Sequence, residues 1–217
     1  MEQSRAGDIR RVAAGGAAVG PDVRIAVDAI QRWDRDEVLD WICDLQIFDL
    51  AWVEQPMSPN DILAHDSIAA ITAPTRMATG EHDANQGIFK LFLQANAFQL
   101  LQIDATRVTG FDENIAIMLL AVNFGVPVFP HAGVVRLGAI VQRLAMFNSI
   151  TISGTTDERM IEFADRLDDY FVAPVDVHNS RYWTPILTSS GAEILVDSRL
   201  RGHIPLGSGV SEHRADP

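Results

Sequence analysis

Five residues at the ends of short apolar runs carry the chemistry this sequence offers: Asp28, Glu54, Glu81, Asp104 and His131. They follow one another at intervals of 26, 27, 23 and 27 residues. Each interval is the length of one strand–helix unit. Three carboxylates in succession suit a hard cation such as Mg²⁺, which prefers oxygen ligands and keeps some positions for water or substrate. A histidine at a strand mouth is placed to exchange protons with a bound molecule. Asp104, one unit earlier, is expected to hydrogen-bond that imidazole, fix its tautomer and raise its pKa. Any one of these acids alone is most simply a solvated loop residue. Their recurrence at equivalent positions is what points to a shared pocket.

Convergence requires elements that repeat. The apolar runs at 23–27, 50–53, 98–103 and 126–131 read as strands, with a weaker one at 76–78. Helices are expected at 8–18, around 34–45, from 58, at 88–93, at 112–123 and at 137–147. Asp34 with Glu37 resembles a capping box, and Val38, Leu39, Ile42 and Leu45 give one apolar stripe. Ile62, Leu63 and Ile68 supply apolar positions of the next helix, and Gly125 is a natural helix stop. Residues 149–153 read as a strand, 160–163 as a strand or a helix start, and 174 onward as irregular, with 207–217 frayed. This is β–α alternation with continuous apolar strands, hence a parallel sheet, open or closed into a barrel. In a closed (β/α)8 barrel, residues at the C-terminal strand ends share one pocket.

Composition narrows the partners. The chain has 217 residues, 47% hydrophobic and 21% charged, which is a globular composition. Its net charge of −12 opposes binding to nucleic acid or to an anionic membrane. A single cysteine, Cys43, excludes an internal disulfide and suggests a reducing compartment. The N-terminus has no apolar signal core, so a cytoplasmic protein is expected. Gly15-Gly16 lacks the context of a dinucleotide site, and no GxSxG elbow occurs.

The motifs Val27-Asp28-Ala29-Ile30-Gln31-Arg32-Trp33, Trp52-Val53-Glu54-Gln55-Pro56, Ala78-Thr79-Gly80-Glu81, Gln102-Ile103-Asp104 and Pro130-His131-Ala132-Gly133 together resemble the enolase superfamily. Within it they look most like the mandelate racemase branch and its L-fuconate dehydratase group. Gly20-Pro21-Asp22 and the stretch from Ile161 to Asp165 match that group too. The resemblance implies a partial (β/α)8 TIM barrel, about strands 3–8, in residues 1–173, followed by an irregular tail in 174–217. It implies that Asp28, Glu54 and Glu81 bind Mg²⁺, and that Asp104 and His131 form an acid/base dyad. It places Glu162 at the end of the eighth strand beside the substrate, which favours the strand reading of 160–163. Gln31, Trp33 and His82 would line the substrate. The reaction implied is dehydration of a small-molecule sugar acid, such as L-fuconate, to a 2-keto-3-deoxy acid through an enediolate. Another acid-sugar dehydratase or racemase, or an inactive remnant, are the alternative readings.

The family's Lys-x-Lys base pair would fall just ahead of Met1, so about six of eight strands and one half of the acid/base machinery are expected here. Open strand edges would invite self-association. Ile30, Gln55, Val134 and Arg136 depart from the usual pattern, which has Asn at the first, Glu at the second and a Gly-rich turn around the last two.

Overall fold

The computed structural model describes residues 4–132, 137–157, 159–163, 170–172, 174–186, 188–191 and 193–198. Helix α1 (Arg5–Val19) leads into strand β1 (Ala26–Asp28), and three β–α units follow: α2 (Val38–Leu45) and β2 (Trp52–Glu54), α3 (Ile62–Ile71) and β3 (Met77–Thr79), α4 (Gln86–Gln94) and β4 (Leu100–Leu101). Helices α5 (Phe111–Asn123) and α6 (Leu137–Phe147) come next, then a two-stranded hairpin of β5 (Val177–His178) and β6 (Arg181–Tyr182).

The sheet is parallel in the order β1-β2-β3-β4. It is extended by residues 127–131, which lie parallel beside β4 through Phe129 N–H to Leu101 C=O (2.8 Å) and His131 N–H to Ile103 C=O (3.1 Å). A further stave joins at one point, Glu162 N–H to Pro130 C=O at 3.4 Å. The structure thus builds a curved parallel wall in chain order, the α/β architecture expected of this part of a (β/α)8 barrel.

Strand parity decides what each residue faces. Val53, Met77 and Leu101 point outward into the main core with the helices, among them the fully buried Phe89, Phe92, Ile42 and Ile117. Ala78, Leu100 and Phe129 point the other way and meet Trp52, whose ring packs edge-on against Phe129 at 5.5 Å. Both faces are therefore dry, which is why the strands read as unbroken apolar runs. In the helix layer, α2 buries Val38, Trp41, Ile42 and Leu45, one stripe at helical spacing. α3 is capped by Asp61, whose carboxylate accepts from Ala64 N–H, and α4 by Asn85, which accepts from Gly87 and Ile88.

Several expectations are corrected. Residues 149–153 are not a strand: α6 runs on as a π-helical turn, Asn148–Ile152, closed by Ser153 N–H to Asn148 C=O at 2.8 Å. Ile150 and Ile152 alternate like strand residues, but the helix ahead of them was already nucleated. Leu63 belongs to no core stripe and is 73% exposed, while Ala64 and Ile68 are buried. Residues 160–163 form neither a helix nor a regular strand, and among the described residues they join the ladder at Glu162. The stretch after Pro174 is not wholly irregular. It contains the β5–β6 hairpin, which packs back on the wall: Tyr182 Oη donates to Glu162 C=O at 2.8 Å, Phe163 meets the Tyr182 ring, and Gln142 Nε2 donates to Trp183 C=O. The turn carrying Gly133, Val134 and Arg136, the end of the 161–165 motif and the terminal 207–217 lie outside the described residues.

Candidate metal centre and acid–base site

The strand wall delivers its acids to one mouth. Glu54 lies two residues beyond Trp52 and so shares its inward face. Register pairs Asp28 directly with Glu54. Glu81 follows Gly80, whose φ of +128° and tight setting require glycine. A Cβ there would lie 2.8 Å from Phe89 and 2.9 Å from the Gln102 carbonyl oxygen. Asp104 and His131 are bridged neighbours on adjacent staves.

Oxygens of Glu54 and Glu81 and a nitrogen of His131 lie within 4.8 Å of one another. Asp28 stands at the next register position but outside this trio, and its Oδ1 accepts from Ile30 N–H at 2.8 Å. Burial raises the pKa of Glu54, and the neighbouring charges of Asp28 and Glu162 push the same way. Burial likewise raises Asp28, with Glu162 adding to it. A crowd of partly desolvated carboxylates is relieved by a cation. The oxygen donors of Glu54, Glu81 and Asp28 fit a hard divalent ion. Asp83, just past Glu81, is buried, and its Oδ2 has no hydrogen-bond partner among the described residues. Burial alone pushes its carboxyl up to about 7.

His131 is held differently from the sequence expectation. Its Nδ1 lies 2.7 Å from Glu162 Oε2, an ion-pair contact out of line for a hydrogen bond, and that oxygen accepts from Ala132 N–H at 2.8 Å. Its Nε2 lies 3.4 Å from Glu81 Oε1 and 3.9 Å from Asp104 Oδ2, the latter too far for a hydrogen bond. Asp104 is occupied locally, its Oδ1 accepting from both Thr106 N–H and Thr106 Oγ1 at 2.8 Å. Glu162, not Asp104, is therefore the carboxylate closest to the imidazole. Burial by itself would lower the His131 pKa, but Glu162 first, then Glu81 and Asp104, leave it raised. The converse holds for Glu162: burial opposes its charge, yet His131 and Ala132 N–H hold its pKa down.

A polar rim lies beside the cluster. Gln31 Nε2 is 2.8 Å from His82 Nδ1, so these two sequence candidates do meet. Trp33 does not join them: it is 3% exposed and stacked on Trp41 at 5.2 Å, a core residue. Two further rim residues are Gln55, marked in the sequence only as a departure from the family pattern, and Arg107, which was not singled out. Gln55 bridges Glu81 Oε2 (2.8 Å) and His82 Nδ1 (2.7 Å). Arg107 reaches His82 Nε2 at 3.4 Å. Both carried a signal, a polar residue within three positions of a strand-end acid. Ile30, Gln31 and Gln55 all hold positive φ, between 41° and 57°, without being glycine. Such backbone persists where the surroundings over-determine it, which is common around binding sites.

A parallel strand wall with acids gathered at its C-terminal mouth has the architecture of the (β/α)8 barrels, in which functional groups sit at that face. Residues 2–195 match the family described as enolase C-terminal domain-like, and the chain belongs to it. Mitochondrial enolase superfamily member 1 of Xenopus laevis is 41% identical over 203 residues, covering 93% of this chain and 46% of that protein. The crystal structure of the human protein of the same name superposes with a TM-score of 0.95 at 35% identity, covering all of this chain and 49% of that one. L-talarate/galactarate dehydratase of Salmonella typhimurium LT2, liganded with Mg and L-lyxarohydroxamate, gives a TM-score of 0.80 at 27% identity, over 91% of this chain and 48% of that one. The chain spans about half the length of these relatives. Among the described residues no helix is long and apolar enough to cross a membrane.

Proposed function

We propose that this chain carries the metal-binding and histidine side of a Mg²⁺-dependent sugar-acid dehydratase. The observation that carries the reading is the convergence of Glu54, Glu81 and His131 within 4.8 Å, with Glu162 clamped on the far nitrogen of the same imidazole. Glu54 and Glu81, with Asp28 beside them, would hold the ion. Bound Mg²⁺ supplies neutralisation of the charge that develops on a substrate carboxylate when its α-proton leaves. The rest falls to the protein. Ala132 N–H holds Glu162 Oε2 beside Nδ1 of His131, and the other ring nitrogen, Nε2, lies toward Glu81. A histidine with a raised pKa keeps its proton to higher pH and can hand it to a departing β-hydroxyl, which leaves as water. Asp104, turned away by its own loop, adds negative charge near that nitrogen without touching it.

A sugar acid of the L-fuconate type is the finer reading, supported by the sequence motifs, and the cytoplasm is the compartment that the single cysteine favours. Calorimetric titration with Mg²⁺ tests the core claim. Heat of binding is expected for the unaltered chain and should be lost in Glu81→Gln. A flat titration of the unaltered chain, or one that Glu81→Gln leaves intact, refutes the reading. Assay of 2-keto-3-deoxy acid from L-fuconate and galactarate then ranks the substrates.

A further inference from the structure

Glu162 acts through one oxygen. Its Oε2 accepts from Ala132 N–H at 2.8 Å and faces His131 Nδ1 at 2.7 Å. The second contact is out of line for a hydrogen bond, so it depends on where the carboxylate is held. Packing does not hold it: the Glu162 side chain is 47% exposed. A half-exposed glutamate samples several rotamers, and fixing one of them costs entropy. The backbone that carries it is tied at two points. Glu162 N–H reaches the Pro130 carbonyl at 3.4 Å, near the limit of a hydrogen bond. Its own carbonyl accepts from Tyr182 Oη at 2.8 Å, the shorter bond of the two.

Tyr182 is in turn fixed by its hairpin. It pairs with Val177 across β5 and β6. The loop between them is Asn179-Ser180, at positive φ of 51° and 58°, the two-residue turn whose twist matches paired strands. Trp183 N–H closes the next rung on the Asp176 carbonyl at 2.8 Å. Gln142 of α6, a buried residue, donates to the Trp183 carbonyl and so anchors the hairpin to the helix layer. The Tyr182 ring stands edge-on to Phe163, with ring centres 6.0 Å apart. A chain of contacts thus runs from α6 through the hairpin to Glu162 and on to the imidazole.

We infer that Tyr182 is a positioning residue of the acid–base site: its hydroxyl pins the Glu162 carbonyl and thereby sets the carboxylate against His131 and Ala132. The β5–β6 hairpin is then a brace for that site, although it forms a sheet apart from the strand wall and Tyr182 follows Glu162 by 20 residues. This rests on the acid–base reading of His131 and Glu162 proposed above.

Hydrogen exchange of the Ala132 amide, followed by NMR on the full chain, tests it, because that N–H is bonded to the same Glu162 oxygen. Tyr182→Phe removes only the hydroxyl and should speed exchange at Ala132 about tenfold. The His131 amide, bonded to the Ile103 carbonyl, should keep its rate. Para-aminophenylalanine in place of Tyr182 returns an N–H donor to the same spot and should restore slow exchange. Glu162→Ala should speed Ala132 by itself, and Tyr182→Phe added to it should change nothing further, because the hydroxyl acts through that carboxylate. Unchanged exchange in Tyr182→Phe, equal acceleration of the Ala132 and His131 amides, no rescue by the amino analogue, or additive effects in the double variant overturns the inference. No metal or substrate enters the measurement. A flat Mg²⁺ titration therefore overturns the proposed function, while the coupling at Ala132 judges the brace alone.

Discussion

His131 stands at the mouth of the strand wall with three carboxylates 2.7 to 3.9 Å from its ring. His65 sits inside the helix layer, 1% exposed, edge-on to Phe92 at 5.4 Å, its Nδ1 paired with the Asp61 carbonyl at 2.9 Å. Its Nε2 has no partner among the described residues. The two imidazoles are chemically identical and both are withdrawn from water. Burial lowers the pKa of His65, and the Asp61 carbonyl and carboxylate repay only part of the cost of charge. The same penalty acts on His131, and Glu162 reverses it. What separates a histidine with a lowered pKa from one with a raised pKa here is not residue type but which side chains share the dry space.

The contrast can be broken from the core side first. Phe92→Ala should cost about 3–5 kcal/mol in chemical denaturation, and water admitted to the space should lift the His65 pKa toward its ordinary 6.5. Gly80→Ala comes next. It forces a Cβ against Phe89 and the Gln102 carbonyl at positive φ, with an expected loss of about 1–3 kcal/mol and weaker Mg²⁺ binding, because Glu81 moves with its neighbour. Glu162→Gln should change stability less but lower the His131 pKa, read by NMR titration. An unchanged value would mean that Glu81 and Asp104 alone hold the proton.

The remaining effects lie in pH profiles of stability. The folded-state pKa of His65 lies below its unfolded value of 6.5, so the unfolded chain takes up the proton first. Stability from this group is complete above that pH and declines as pH falls below it. His65→Leu should flatten the decline. Asp83 acts in the opposite sense. Its carboxyl is raised from 3.8 to about 7 in the fold, so its contribution is complete below 3.8 and is lost as pH rises toward 7. Asp83→Asn should therefore stabilise the protein most at pH 8 and least at pH 4, measured by thermal unfolding.

Much of the wall was legible in the sequence because parallel β–α units repeat. A strand buried on both faces leaves a continuous apolar run, and the first polar residue after it marks the mouth. That reasoning placed Asp28, Glu54, Glu81, Asp104 and His131 at one end of the structure. It could not say which acid would reach the imidazole. Spacing put Asp104 closest, but a short side chain next to Thr106 closes on its own loop. Glu162 was hard to place because, among the described residues, its segment meets the ladder at Pro130 and is met from the distant Tyr182 hydroxyl. Trp33 fell inside a resembling motif, yet its indole serves the stack with Trp41. Arg107 and Gln55 reach the site through side-chain contacts to His82 and Glu81, which no periodicity encodes.

The tryptophans described in the wall divide along the same line as the histidines. Trp33 and Trp41 are stacked at 12° between planes, close enough for their transitions to couple, so circular dichroism of that pair follows the packing of β1 against α2. Trp52 instead has its indole nitrogen 3.4 Å from Glu54 Oε2. An ion drawing that carboxylate away alters the field across the ring, and with it the colour of its emission. The molecule thus holds one optical reporter of folding and another of ion occupancy, on neighbouring strands and without any label.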